Sequence, residues 1–431
     1  MKRVNKLGIP SIADGNYAGK TVLLRLDLNC PVDPVTRKLR NTSRIDKNIP
    51  TLSYLLDQGA KVAILAHQGD SQNYTSLIPL AEHAERMSEI LQRSIRYIDE
   101  VCGSAAVQAV KALRPGQAVL LGNLRYLAEE VTAFERSMRV EPEAYRYCWM
   151  VRTLAPLADA YVNDAFSVAH RNSPSMVAFQ TMLPSAAGFH LYSEITALST
   201  VFESPMQPAV YVLGGSSVSN TFGMMGAILD KGRAHSILTC GVIGLVMLVA
   251  RGHKLGPKAE DFLWKHGVDS FVAEAAQFLK RYGDILKMPY DLGIADVGGR
   301  EDVSIVDLPV EADLLDIGDM TISAYAKEIL NAGTVFINGP PGMYEDPLFE
   351  KGTKSLFFAL QETSAYTVIG GGDSAAAAGK YTDLSKIDHV CTAEGAMVHY
   401  LSGKKTPLIT AMRNANGFDG TTRFEVRLTG S

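Results

Sequence analysis

The sequence predicts an α/β protein made of two doubly wound parallel-sheet domains joined by a helix. Three observations carry this expectation. Short apolar, β-branched runs alternate with amphipathic helical patterns, the order that produces parallel sheets covered on both faces. The length of 431 residues exceeds what one ordinary core serves. The residues following the strands also change character midway, from Asp, Asn, His and Arg before residue 188 to glycine-rich turns after residue 208.

Taken in order, residues 21–26 (TVLLRL) read as a buried strand. Residues 44–58 form a helix with Ile49, Leu52, Leu55 and Leu56 on one face. A strand follows at 61–66, a helix at 77–91, and strands at 118–121 and 160–163. In residues 188–208, Leu191, Ile195, Leu198 and Phe202 recur at helical spacing, with Pro184 before and Pro205 and Pro208 after. This predicts a linker helix over 189–204 between an acid-substrate domain (1–188) and a nucleotide-binding domain (205–404). The periodicity alone fits an ordinary crossover helix in one long domain equally well. Strands are then expected at 209–213, 236–239, 334–338, 366–369 and 389–391, with helices at 222–229, 324–330 and 348–361.

Composition narrows the function classes. Hydrophobic residues make up 47% and charged residues 20%, a soluble globular profile. A net charge of −4 argues against a nucleic-acid coat or a polybasic membrane anchor. The five cysteines are scattered with no CxxC pair, so neither a disulfide framework nor a zinc site is expected, and a reducing cytoplasm is the expected home. Residues 1–15 lack an apolar run of signal-peptide length, and the greasiest stretch, 237–250, falls short of the roughly 20 residues that span a bilayer.

In parallel sheets ligands sit at the carboxyl ends of strands. In the first half those positions hold Asp27 and Asn29, then His67, then Arg125, then His170 and Arg171, while Arg44 opens the first long helix. Guanidinium forks bind carboxylate and phosphate bidentately, so Arg44, Arg125 and Arg171 could converge with His67 on an anion. Each residue alone also reads as structural, as a solvated helix start or a turn. In the second half the turns are Gly214-Gly215-Ser216-Ser217, Gly339-Pro340-Pro341-Gly342 and Gly370-Gly371-Gly372-Asp373-Ser374. The last opens into an alanine-rich helix, whose exposed amides make a phosphate site. Asp373 could meet a metal ion bridging the phosphates. Neither GxxxxGK[ST] nor GxGxxG is present.

These motifs, in this order, resemble the phosphoglycerate kinase family across essentially the whole chain. They are VLLRLDLNCPVD (22–33), the AHQG turn, VLLGNLRY, VNDAFSVAHR, LGGSSVSN, NGPPGMYEDPLFEKGTKSL (338–356) and VIGGGDSAAA (368–377). The AHQG and ILTCGVIGLVMLVARG stretches look most like archaeal members. The resemblance implies two Rossmann-like domains in a hinge-closing kinase architecture, with residues 405–431 returning to the first domain. It implies phosphoryl transfer between ATP and the carboxylate of 3-phosphoglycerate (1,3-bisphosphoglycerate + ADP = 3-phosphoglycerate + ATP). Carried over by motif, Asp27, Asn29, Arg44, His67, Arg125 and Arg171 would bind the acid, and Arg44 would stabilise the transferring group. Gly214, Gly215, Asn338, Glu345, Gly371, Gly372, Asp373 and Ser374 would hold ATP or ADP, with Mg2+ at Asp373.

The pattern departs from the family at four places. Asp70 stands where the family has an arginine that helps hold the substrate phosphate. Ser217 and Thr221 stand where many members carry lysines, although archaeal-like members tend to lack the second. Thr392-Ala393-Glu394-Gly395-Ala396 replaces TGGGA. Losing one preorganised donor costs about 10²–10³ in rate, unless a neighbour such as Lys231 or Arg233 fills in. Glu394 at a helix start could itself occupy the anion site; it reads equally as a solvated residue. Asp70 disfavours a phosphate at the substrate's far end. Two alternatives therefore stand beside the family reaction: a paralogue phosphorylating a different carboxylic acid, and a non-catalytic homologue with a protein partner.

Overall fold

The computed structural model describes residues 7–416 apart from Ser71, Arg139 and Val297. The chain divides into two compact units. One holds the described residues up to Thr196 together with those from Lys405 onward, and the other spans Ala197–Lys404.

The first unit is a six-stranded parallel sheet of β1 (Thr21–Arg25), β2 (Lys61–Leu65), β3 (Ile95–Tyr97), β4 (Ala118–Leu120), β5 (Ala160–Asn163) and β6 (Ser185–Ala187), in the order β3-β4-β2-β1-β5-β6. β1 lies in the centre, with Val22 opposite Val62 on one side and Ala160 on the other. All five of its residues are buried, as expected for a strand covered on both faces. The helix Ser43–Asp57 lays Ile45, Leu52, Leu55 and Leu56 over this sheet, in one core with Val22, Leu24, Val62 and Ile64. The helix expected from residue 77 begins only at Ala81. Pro79 keeps the residue before it out of the helical region, and the chain turns into the helix after it. The edge strands β3 and β6 lie outside the expected set: IRY carries an arginine at its centre and SAA has no β-branched residue.

The second unit carries its own six-stranded parallel sheet. Its strands are β7 (Ala209–Leu213), β8 (Ser236–Thr239), β9 (Leu286–Lys287), β13 (Thr334–Asn338), β14 (Tyr366–Gly370) and β15 (His389–Cys391), in the order β15-β14-β13-β7-β8-β9. A three-stranded antiparallel sheet is added by β10 (Asp291–Asp296), β11 (Gly299–Ser304) and β12 (Leu314–Ile317), in the order β11-β10-β12. Its sequences, DLGIAD and GREDVS, are half polar, so the apolar-run criterion passes over them. The helices expected at 222–229 and 324–330 are longer, Val218–Asp230 and Asp319–Leu330. The one expected at 348–361 is Lys351–Glu362.

The helix Phe189–Glu203 forms where the spacing predicts it, with Leu191, Ile195, Leu198 and Phe202 buried. The boundary between the units falls inside it, after Thr196. Near the end of the described chain, the helix Pro407–Ala415 packs on the first unit. Leu408 N donates to Ala169 O at 3.2 Å, and Arg413 Nε to Leu7 O at 2.9 Å. Residues 417–431 of the expected returning segment lie outside the described residues.

Candidate functional site

Each parallel sheet reverses its winding once, between β1 and β5 in the first unit and between β7 and β13 in the second. A crevice opens at such a point at the carboxyl ends of the strands. Most of the residues singled out from the sequence follow these strand ends.

In the first unit four arginines surround His67. Burial, followed by the charges of Arg25, Arg125, Arg171 and Arg44, holds the imidazole well below its ordinary pKa. His67 Nδ1 lies 2.9 Å from Nη2 of Arg25. A guanidinium only donates, so Nδ1 accepts and the ring proton sits on Nε2. His67 therefore contributes a neutral donor and not the extra cation that its company of arginines suggests.

Arg44 Nη1 donates to both carboxylate oxygens of Asp27, at 3.2 and 3.0 Å, and to Ser167 Oγ at 3.4 Å. Asn48 ties the pair down through Asp27 O at 2.9 Å and Arg44 O at 2.7 Å. Asn29 Oδ1 accepts from Gly69 N at 2.8 Å and so pins the turn after β2. That turn needs glycine: Gly69 has φ +76°, and a Cβ there would lie 2.3 Å from Ser76 O. Arg125 donates through Nη1 to Glu130 O and through Nε to Gly69 O at 3.4 Å.

Two hydroxyl relays link arginines to carboxylates. In the buried one, Ser175 Oγ accepts from Arg25 Nε at 3.3 Å and donates to Glu130 Oε2 at 2.8 Å, while Ser175 N donates to Glu130 Oε1 at 2.5 Å. Arg25, Ser175 and Glu130 are all within 2% of full burial. Burial pushes the Glu130 carboxyl up, and Arg25 opposes that shift. In the half-buried relay, Thr132 Oγ1 accepts from Arg171 Nη1 at 2.5 Å and donates to Asp70 Oδ2 at 3.1 Å. Asp70 Oδ1 accepts from Gln72 N at 3.0 Å. That amide, then Thr132, Arg125 and Arg171, hold its carboxyl below the ordinary value despite some burial. Glu135 stands 3.6 Å from Arg171. Arg171 Nε is buried with no hydrogen-bond partner.

Sequence reasoning missed Arg25, Glu130, Thr132 and Ser175 as parts of this cluster. A signal existed for Arg25 alone: an arginine inside an otherwise apolar strand is buried only when paired.

In the second unit the glycine turns meet. Gly214 N donates to Asn338 O at 2.9 Å, Gly215 N to Pro340 O at 3.0 Å, and Gly241 N to Pro341 O at 3.0 Å. Gly339, at φ +87°, lies so close that a Cβ would stand 2.2 Å from Gly214 O. Ser374 Oγ accepts from Gly339 N at 2.7 Å, and a Cβ on Gly371 would lie 3.0 Å from Asn338 Oδ1. Beside these turns is a cavity of about 320 Å³, with Gly215, Gly241, Pro340, Glu345 and Asp373 in its lining. Asp373 is exposed in the first turn of the helix Gly372–Tyr381, and Glu345 is exposed as well. Among the described residues no three His, Cys, Asp or Glu side chains gather as metal ligands. Single hard oxygen donors of this kind fit Mg2+, which is held by one or two carboxylates together with phosphate oxygens.

Asp316 also lines the cavity and was missed. It is buried and paired with Arg300 at 2.5 Å, and it accepts from Gly352 N at 2.8 Å. Asp316 lies on β12 and Arg300 on β11, two strands the sequence did not reveal.

Lys231 and Arg233, the two candidates to fill in for Ser217, are engaged elsewhere. Lys231 pairs with Glu203 at 2.7 Å, and Arg233 donates to Glu203 O. Both precede β8, at the amino end of the sheet, whereas the glycine turns follow the carboxyl ends. Ser217 Oγ accepts from Asn220 Nδ2 at 3.0 Å, and Thr221 is buried with its hydroxyl on Ser217 O. A helix does start at Glu394, running to Leu401, and Glu394 is exposed on its first turn.

A family model described as phosphoglycerate kinase matches residues 12–404. The chain is 37% identical to a phosphoglycerate kinase of Methanothermus fervidus, covering 93% of this chain and 96% of that protein. It is also 37% identical to the phosphoglycerate kinase of Methanopyrus kandleri, covering 94% and 97%. Among solved structures, phosphoglycerate kinase from Pyrococcus horikoshii aligns with a TM-score of 0.81 at 32% identity, over 95% of this chain and 100% of that one. That from Coxiella burnetii aligns at 0.79 and 29% identity. In the described residues no helix is long and apolar enough to cross a membrane.

Proposed function

The chain belongs to the phosphoglycerate kinase family, and on that premise we propose that it transfers a phosphoryl group between ATP and the carboxylate of 3-phosphoglycerate in the cytoplasm. The observation that carries this reading is the pairing of two strand-end sites within one chain. One is a cluster of four arginines around a neutral histidine, and the other is a cavity bordered by glycine turns.

Phosphoryl transfer asks for positioning and charge neutralisation more than for covalent help. In this reading Arg171, Arg125 and the Nε2 proton of His67 hold the acid, and Asn29 shapes the turn beside it. Arg44, steadied by Asp27, faces the charge that develops on the transferring group. The turns that hold Gly214, Gly215, Gly371 and Gly372 lie against the nucleotide phosphates, where the missing Cβ atoms allow close approach. Asn338 and Ser374 brace those turns, and Glu345 contacts the nucleotide. Asp373 would hold Mg2+, which when bound neutralises phosphate charge. No general base is needed, because the carboxylate is already ionised.

The test is a coupled assay with 3-phosphoglycerate and MgATP, run beside Arg44→Met. Turnover by the wild type that falls by about 10²–10³ in the variant is expected. Wild-type protein that binds MgADP and the acid in calorimetry yet turns nothing over would sink the catalytic reading and leave the non-catalytic one. Asp70 favours a second reading, in which the acid at the same cluster differs from 3-phosphoglycerate.

A further inference from the structure

The four guanidinium groups of the acid cluster are matched by four carboxylates, Asp27, Asp70, Glu130 and Glu135. An acid with a distal phosphate carries about three negative charges and asks for a second, separate cationic anchor. Little is left to supply one. Arg25 is buried and committed to Ser175, Leu26 O and His67. Arg125 is turned toward the carbonyls of Glu130 and Gly69. Arg44 shares its Nη1 between both Asp27 oxygens. Arg171 keeps a buried Nε without a partner, which suits one ligand carboxylate.

The region beside Arg171 is occupied by Thr132 and Asp70. Because a guanidinium cannot accept, Thr132 must give its only proton to Asp70. The hydroxyl is thereby oriented with a lone pair toward the arginine and its hydrogen toward the acid. Asp70 is half-buried and follows the glycine turn that Asn29 pins. An incoming phosphate would meet this carboxylate directly, whereas a hydroxyl group could donate to it. The same relay on Arg25 is sealed in the core. This one opens on the cluster.

Resting on the reading of the first unit as the acid site, we infer that Asp70 and Thr132 are specificity-determining residues that let the site take short hydroxy-carboxylic acids lacking a distal phosphate. Such acids bind about as well as the phosphorylated one. A site built to bond a substrate group rejects analogues without it by about 10⁴–10⁵; with Asp70 in place that discrimination collapses to within about tenfold.

Calorimetry tests this with D-glycerate and 3-phosphoglycerate titrated separately into the full chain, Asp70→Arg and Asp70→Asn. The wild type is expected to bind both acids with dissociation constants within about tenfold. Asp70→Arg should tighten 3-phosphoglycerate by about 10–100-fold with little change for glycerate. The near-isosteric Asp70→Asn should move in the same direction by less, and it serves if the arginine variant misfolds. A wild type that prefers 3-phosphoglycerate by more than about a hundredfold overturns the inference, as does a ratio that neither variant shifts. If no protein binds either acid, the acid-site reading itself fails, an outcome distinct from the other two.

Discussion

In the first unit the acid cluster carries four guanidinium groups, each steadied by a carboxylate, a hydroxyl or a carbonyl. In the second unit the corresponding turns carry no lysine or arginine, and Lys258 alone is cationic among the described residues lining the cavity. That lysine pairs with Asp313 at 3.6 Å. A side-chain cation brings affinity, but its desolvation must be offset by partners, and those partners consume part of its charge. Backbone amides need no such partners and can approach a phosphate closely where glycine removes the Cβ. The first half spends many residues on restraining its own charge. The second half economises on charge and relies on geometry, and on a bound cation where one is held.

The largest effect should come from breaking the buried relay of the first half. Glu130→Ala leaves Ser175 N and Oγ without their acceptor and Arg25 without its buried counter-charge in a dry core, at a cost of about 3–5 kcal/mol. Hydrogen exchange should accelerate in β1 and β5 while β7 and β13 keep their protection. Unchanged protection in β1 would mean that Arg25 needs no buried acid, and the contrast with the second half would weaken.

A smaller effect belongs to His83, fully buried and hydrogen-bonded to Gln68 Oε1 at 3.1 Å. Burial lowers its pKa from 6.5 to about 4. The folded value lies below the unfolded one, so stability is fully present above pH 6.5 and is lost as pH falls toward about 4. The loss reaches about 3 kcal/mol. His67 shifts in the same direction, while the raised carboxyls of Glu130 and Asp164 oppose it. His83→Gln removes one contributor. Denaturant titrations at several pH values should show the variant gaining on the wild type by that amount as the medium is acidified. Parallel curves would refute the assignment.

The smallest expected effect sharpens the comparison from the other side. Ser217→Lys puts a cation into the turn after β7, where Ser217 is exposed. ADP without metal should bind about tenfold tighter, with a steeper salt dependence. Acid binding should stay as it was. An unchanged nucleotide affinity would show that backbone donors already saturate the phosphates.

Much of this was legible from residues alone. β5, β7, β8, β13 and β15 begin and end where the apolar runs do. The helix Phe189–Glu203 buries the face its spacing marks. Arg44, His67, Arg125 and Arg171 come together around the histidine. The misses have local causes. β3 (IRY) carries an arginine at its centre and β6 (SAA) has no β-branched residue, β10 and β11 are half polar, and Pro79 delays a helix whose pattern starts earlier. Lys231 and Arg233, near the glycine turn in sequence, are carried to the other end of the sheet by one helix length.

The sequence by itself determined the alternation of strands and helices, the two glycine-poor and glycine-rich halves, and the family, because periodicity and turn chemistry are set within a few residues. It also marked the departures at Asp70, Ser217 and Glu394. Only the tertiary structure decided that His67 is neutral, that Arg25 is part of the cluster, and that Asp70 reaches Arg171 through Thr132. Those facts depend on partners 42, 62 and 150 positions apart. Which of them meet is set by the register of parallel strands, and whether each stays charged is set by how much water the packing leaves around it.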